Sequence, residues 1–323
     1  RRVRHTPGRP VSRALPPRSA GVIRAPRRRG PLLAALDLAF AGLFVLAIAP
    51  FLVMPADWAV RAFGAVGRRL LPMSPAAERI RDNRSLLGVT DGAEAEDRLA
   101  AGVGDNFGRV LAEYIRMPDI ARRRDRRRVA GLDHLRRAAE DGRGVVLVSA
   151  HYGNWEAVRL AALDAEIEVG ILYRSFNNAG FDRLSRLRIG RAGQPVMHKG
   201  REGARALLAH LRQGGAMLVL IDQRQSKSPA LPFLGRPALT ATGVAAVCLR
   251  TKAAMIPARA VRAADGLSFD IEFEAPIPPG RTEAMTIEAN RRIGRWIEQH
   301  PEQWFWLHKR WSGVKDAETN KAL

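Results

Sequence analysis

The sequence predicts an α/β fold, with a sheet covered by helices on both faces. Three observations carry this. From Gly144 onward, short apolar runs recur: "GVVLVSA", "EVGILY", "AMLVLID" and "AMIPARAV". Helix-like segments separate them, at 154–163, 177–192, 201–213 and 240–251. The runs are apolar throughout, as strands buried on both faces are, rather than alternating. One stretch, "LSFDIEFE" at 267–274, does alternate and is expected as an antiparallel edge strand.

Residues 1–30 hold ten Arg, five Pro and no acid, the composition of a disordered basic arm. Residues 31–55 follow as a membrane anchor helix. Their 23-residue apolar core, 32–54, carries one charge, Asp37, near an end. At about 1.5 Å per residue it matches a bilayer core of about 30 Å. A signal peptide is the competing reading, since "AIA" precedes Pro50, but the apolar run is long for one. A buried core helix is another. Residues 56–72 form an amphipathic stretch, with Trp58, Phe63 and Leu70 among Arg61, Arg68 and Arg69, suited to a membrane surface. Residues 76–120 read as helices, and 282–300 as a helix leading into "PEQWFWLHKRW". The catalytic domain is expected over 56–315, with a tail at 316–323.

The net charge is +21 over 323 residues. An acidic partner is one explanation, whether nucleic acid, anionic membrane or acidic protein. A compositional bias is another, for only six of the 53 basic residues are Lys. Eight Arg lie within 122–137, a solvated run or a phosphate-facing patch. The single cysteine, Cys248, excludes an intrachain disulfide and a cysteine zinc cage, and its helical surroundings suggest core packing.

A nucleophilic-serine elbow, a phosphate-binding P-loop and H-E-x-x-H are absent from the sequence. "GVGDNFG" at 102–108 has the wrong spacing for a dinucleotide loop and no strand before it. The stretch "VVLVSAHYGNWEAVRL" at 145–160 carries more chemistry. It puts His151 at the carboxyl end of a buried strand, where open α/β sheets bind ligands. Gly153 permits a tight turn and Asn154 suits a helix N-cap. Glu156 then falls in the first helical turn, from where its carboxylate is expected to reach a ring nitrogen of His151. That bond would fix the tautomer and strengthen the other nitrogen as a base. A loop His beside a surface Glu is the plain alternative.

H-x4-[DE] after a buried strand is the signature of glycerolipid acyltransferases, and "HYGNWE" resembles the late acyltransferases of lipid A biosynthesis. "YRSFNN" (173–178), "RLRIGRAG" (186–193), "LVLIDQ" (218–223), "LPFLGRPALTATG" (231–243) and "PEQWFWLHKRW" (301–311) resemble further family segments, in the family's order over roughly 31–312. The resemblance implies a glycerol-3-phosphate acyltransferase-like sheet flanked by helices. It implies His151 as catalytic base with Glu156 as partner, and Arg191 and Asp222 as further activity residues, Arg191 a candidate oxyanion donor. Arg174, Asn154 and Arg159 are expected to face substrate. Arg174 and Arg191 read equally as surface arginines, and Asp222 as a strand-end cap. Trp304, Trp306 and Trp311 read as packing or interfacial aromatics.

The implied reaction moves an acyl chain from acyl carrier protein, or acyl-CoA, to a hydroxyl of a lipid A precursor, with no other cofactor, no metal and no acyl-enzyme. The implied location is the cytoplasmic face of a bacterial inner membrane, with anionic lipids as partners. Arginines 122–137 and Arg159 are expected to dock the acidic carrier or a phosphate. The positive-inside rule places the arm in the cytoplasm, so a full single crossing would export the catalytic domain. Either the helix does not fully span or the arm is not native. Rival readings are an acyltransferase for another glycolipid, such as a phosphatidylinositol mannoside, and an inactive membrane scaffold. A nucleic-acid-binding protein is disfavoured, because no aromatics interleave the arginine run.

Overall fold

The computed structural model describes residues 42, 53–89, 91–173 and 179–314. The expected anchor at 31–55 therefore lies outside the described residues, except for Gly42 and 53–55. Among the described residues no helix is long and apolar enough to cross a membrane. The basic arm, the tail at 316–323 and Arg174 are likewise outside them.

Four helices come first: α1 (Ala56–Leu70), α2 (Pro75–Leu86), α3 (Ala93–Ile115) and α4 (Met117–Arg122). α2 starts where Ser74 accepts a hydrogen bond from the Ala76 N–H, with Pro75 just inside the helix. The α/β part then alternates β1 (Arg127–Ala130), α5 (Leu132–Glu140), β2 (Val145–Ser149), α6 (Trp155–Asp164), β3 (Val169–Tyr173), α7 (Ala179–Ile189), β4 (Val196–His198), α8 (Arg201–Arg212) and β5 (Ala216–Leu220). A hairpin of β6 (Ala230–Phe233) and β7 (Arg236–Leu239) follows, then α9 (Gly243–Thr251), β8 (Ala254–Arg262), β9 (Phe269–Phe273) and α10 (Thr282–Gln299).

The main sheet has the order β1-β9-β8-β2-β5-β3-β4. Its pairings are parallel except β8 with β9. All five residues of β2 are buried, and successive side chains enter opposite layers. Val146 and Val148 pack with Leu207, Cys248 and Trp296, while Val145 and Leu147 pack with Leu135, Val158 and Ala161. Helices thus cover both faces, which explains the unbroken apolar runs. Cys248 is core, its thiol pushed up to about 12 by burial.

The expected edge strand is corrected. β9 is antiparallel to β8, but β1 pairs outside it, Val129 opposite Ile271. β1 arises within the arginine run, where Arg127 is buried against Asp164 and the carbonyls of Ile120 and Ala121. Four residues rich in Arg give no apolar period to read.

"GVGDNFG" is a helix seam. A Cβ on Gly104 would stand 2.1 Å from the Gly67 carbonyl oxygen of α1, and one on Gly67 would stand 2.0 Å from that of Gly104. Only glycine at both positions lets α1 and α3 approach this closely. α1 buries Ala56, Ala59, Val60 and Gly64 and leaves Trp58 and Leu70 exposed.

Candidate active site

The register of two strands builds the site. β2 and β5 pair in parallel with Ser149 opposite Leu220. Two residues beyond each end stand His151 and Asp222, side by side at the carboxyl end of the sheet. His151 Nδ1 lies 2.9 Å from Asp222 Oδ1, and the His151 backbone N–H donates to Oδ2 at 2.9 Å. The indole N–H of Trp304 donates to the same Oδ2 at 2.9 Å. Burial disfavours the Asp222 carboxylate, but the His151 charge and these hydrogen bonds win, holding its pKa below the ordinary value. An ionised Asp222 assigns the proton to Nδ1 of His151. Nε2 makes no hydrogen bond among the described residues, and the imidazole is 24% exposed while Asp222 is 2% exposed. The edge of Trp155 packs at 5.1 Å from the His151 ring, and Phe305 lies at 6.1 Å.

The loop after His151 is fixed from behind. Gly153 has φ +53, and a Cβ there would fall 1.8 Å from the Ala260 carbonyl oxygen. Its N–H donates to the Gln303 carbonyl. Asn154 caps α6, its Oδ1 accepting from the Glu156 N–H, while its Nδ2 donates to Glu113. Glu113 is clamped by Arg262, whose Nε donates to Asn106. Asn106 in turn donates to the carbonyls of Gly153 and Gln303.

Several expectations are therefore corrected. Glu156 does not meet His151. It is fully buried, accepting from the Tyr114 hydroxyl and pairing with Arg159. The first turn of α6 aims it at α3, away from the imidazole. Arg159 is also fully buried, bonded to Glu156 and to the carbonyls of Val169, Ile189 and Gly193, so it presents nothing to a substrate. Asn154 is buried with both ends of its amide occupied. Arg191 is exposed in the 3-10 turn Gly190–Ala192. That turn precedes β4, and Gly193 packs on Val169, the first residue of β3. Arg191 thus stands at the amino end of the sheet, opposite His151. Of the described residues expected to act in catalysis, His151 and Asp222 meet, whereas Glu156 pairs with Arg159.

Much of the arginine run makes ion pairs, and of its members Arg127 is buried. Arg126 forms a two-pronged pair with Asp57, Arg124 and Arg127 meet Asp164, Arg128 meets Asp270 and Arg137 meets Asp133. These pairs join the run to α1, α6 and β9, while Arg122, Arg124, Arg128 and Arg137 keep most of their side chains exposed. The aromatic tail is packing: Trp304, Trp306 and Trp311 are buried and stack near Phe233. Sequence reasoning missed the bond from Trp304 to Asp222. Eighty-two residues separate the partners, and no spacing signals it.

A solvent-reaching imidazole, held by a buried carboxylate at the carboxyl end of a largely parallel sheet, defines a general-base site in an α/β protein. The chain belongs to the bacterial lipid A biosynthesis acyltransferase family, which it matches over residues 29–312. It is 24% identical over 274 residues to a phosphatidylinositol mannoside acyltransferase of Mycobacterium tuberculosis (strain ATCC 25618 / H37Rv), covering 79% of this chain and 83% of that protein. The Mycolicibacterium smegmatis protein of that name is also 24% identical, covering 80% and 86%. A lipid A biosynthesis palmitoleoyltransferase of Escherichia coli (strain K12) is 29% identical over 188 residues, covering 56% of this chain and 60% of that protein. The chain is accordingly an acyltransferase, with relatives named for two kinds of glycolipid.

Proposed function

We propose that this acyltransferase moves a fatty acyl chain from a carrier thioester, acyl carrier protein or acyl-CoA, to a hydroxyl of a lipid A precursor, with His151 as general base. The observation that carries the mechanism is the His151–Asp222 pair, together with family membership. His151 Nε2 takes the acceptor hydroxyl proton as the oxygen attacks the thioester carbonyl. Asp222 holds Nδ1–H and stabilises the imidazolium that forms. The tetrahedral intermediate collapses, the C–S bond breaks, and the proton passes from Nε2 to the departing thiolate. With a pKa near 8.5 by the cysteine reference, that thiolate leaves readily. The positive end of α6 starts four residues after His151 and favours the developing oxyanion. Attack is direct, so no acyl-enzyme forms.

Beside the arginine run, the end of β4 and start of α8 offer a docking surface for the carrier. Lys199, Arg201 and Arg205 are exposed there and have no carboxylate partner among the described residues. β4 ends beside the end of β3, Tyr173 opposite His198, at the same end of the sheet as His151. Attachment to the cytoplasmic face of an inner membrane through 31–55, against anionic lipid, belongs to the same reading. The second reading, a phosphatidylinositol mannoside as acceptor, is favoured by the longer coverage of the mycobacterial relatives. Purified full-length enzyme offered both acceptors decides between them, alongside mass spectrometry of lipid A from cells with and without the gene. Gain of one acyl chain on lipid A is expected. Transfer to the mannoside alone would overturn the lipid A assignment but not the chemistry.

A further inference from the structure

Five buried polar side chains meet behind the His151 loop: Asn106, Glu113, Asn154, Arg262 and Gln303. Three of them are amides, and an amide can turn either its oxygen or its NH2 toward a partner. Here each amide has its orientation set. Glu113, a carboxylate paired with Arg262, can only accept. Asn154 therefore gives it Nδ2, at 2.7 Å, and keeps Oδ1 for the Glu156 N–H, at 3.0 Å. The Arg262 guanidinium can only donate. Asn106 therefore gives it Oδ1, at 2.9 Å, and points Nδ2 at the carbonyls of Gly153 and Gln303, both at 3.3 Å. Gln303 is set by the Arg262 backbone, whose N–H donates to its Oε1 at 2.7 Å and whose carbonyl accepts from its Nε2 at 3.0 Å. A two-pronged ion pair between Arg262 and Glu113 closes the network.

Stability alone does not explain an ion pair in this place, because well-packed apolar residues of similar volume are often neutral or stabilising there. Orientation does explain it. Each branch of the network ends on Gly153, Asn154 or Gln303. The Gly153 N–H donates to the Gln303 carbonyl at 2.8 Å, and two residues on, the Phe305 N–H donates to the His151 carbonyl at 2.9 Å. Asn154 closes the turn that leads from His151 into α6. The same turn aims the start of that helix, whose positive end favours the oxyanion.

We propose that Glu113, held by Arg262, is a positioning residue for acyl transfer. By taking Nδ2 of Asn154 it selects the one amide orientation that caps α6, and so fixes the turn between His151 and the start of the helix. This rests on reading His151 as the general base. Glu113 is buried behind the loop, so it acts on the aim of the reacting groups and not on the binding of donor or acceptor.

The test is kcat and KM, per folded molecule of the full chain, for Glu113→Gln, Asn154→Asp and the double variant, with thermal unfolding beside them. Glu113→Gln offers Asn154 either end of an amide, so the orientation is no longer set. Asn154→Asp sets two carboxylates against each other. The double variant reverses the bond, with the amide donating and the carboxylate accepting. Its second carboxylate oxygen still caps α6, and the net charge of the network is unchanged. Each single variant is expected to lose about tenfold or more in kcat with KM little changed, since small misplacements of reacting groups cost rate steeply. The double variant should recover most of that loss, as coupled neighbours do. Asn154→Ser keeps a cap oxygen but offers Glu113 nothing, and should fall as the other single variants do. Wild-type kcat in a folded single variant, a loss confined to KM, or losses that multiply in the double variant overturn the proposal. Single variants that do not fold would assign the network to folding, and overturn it too. His151→Ala in the same assay separates the two claims. If it stays active, the general-base reading itself fails. If it is inactive while Glu113→Gln and Asn154→Ser keep wild-type kcat, only the role of Glu113 falls.

Discussion

Glu156 and Asp222 show how two carboxylates near one histidine take different work. Asp222 stands beside His151 because β2 and β5 end in register, and it accepts three hydrogen bonds there. Glu156 is nearer in sequence, yet α6 turns it into a fully buried pair with Arg159. Breaking such a pair leaves an uncompensated buried charge, typically at about 3–5 kcal/mol. Glu156→Gln should therefore lower the unfolding temperature by several degrees, and any remaining folded enzyme should keep the wild-type pH profile. Thermal unfolding and activity per folded molecule check this. Normal stability with lost activity would return Glu156 to the chemistry. The sequence could not separate these roles. A five-residue spacing is visible in one dimension, whereas the bond to Asp222 spans 71 positions and depends on register.

Elements with a strong apolar period were legible, and those without were not. β2, β3, β5 and β8 announce themselves because both of their faces are covered. β1 does not, because its stabilising contacts are arginine pairs to Asp164 and Asp270 instead of apolar burial. The α1–α3 seam was visible only as glycines of unclear purpose. Its test is Gly104→Ala. In an exposed helix this change would stabilise by about 1 kcal/mol through helix propensity. Here the new Cβ would sit 2.1 Å from the Gly67 carbonyl oxygen, so a net loss of about 1–3 kcal/mol is expected. Denaturant unfolding measures it. A stabilised variant would show that α1 is not docked as described. The His151 loop leans on the same helix, through Asn106, Glu113 and Tyr114, so activity should fall with stability.

Across the whole molecule, charge decides the response to acid. Burial lowers the pKa of His210 and His308. Each contributes stability that is present above its unfolded value of about 6.5 and lost as pH falls through the lower folded value. The carboxylates act in the same direction further down. Asp57 is lowered by its bond to Arg126, and Glu288 is lowered to about 2 by Arg291 and Arg292. The unfolding temperature should fall steadily from pH 7 to pH 3, and a maximum near pH 5 would contradict these assignments. With residues 31–55 attached, the full chain should sediment with membranes and resist release by high salt, because apolar burial holds it. Complete release by salt would sink the anchor. Donor affinity should weaken as ionic strength rises if Lys199, Arg201 and Arg205 receive an acidic carrier, and salt-independent affinity would remove that docking site. The most direct test of the central claim is kcat/KM for acyl transfer by His151→Ala, Asp222→Asn and the double variant, each confirmed as folded. A general base contributes typically 10²–10⁴-fold, so each single change should cost at least about a hundredfold. The double variant should be little worse than His151→Ala, since paired groups act as one unit. Near wild-type activity in Asp222→Asn, or losses that multiply in the double variant, would contradict the pair.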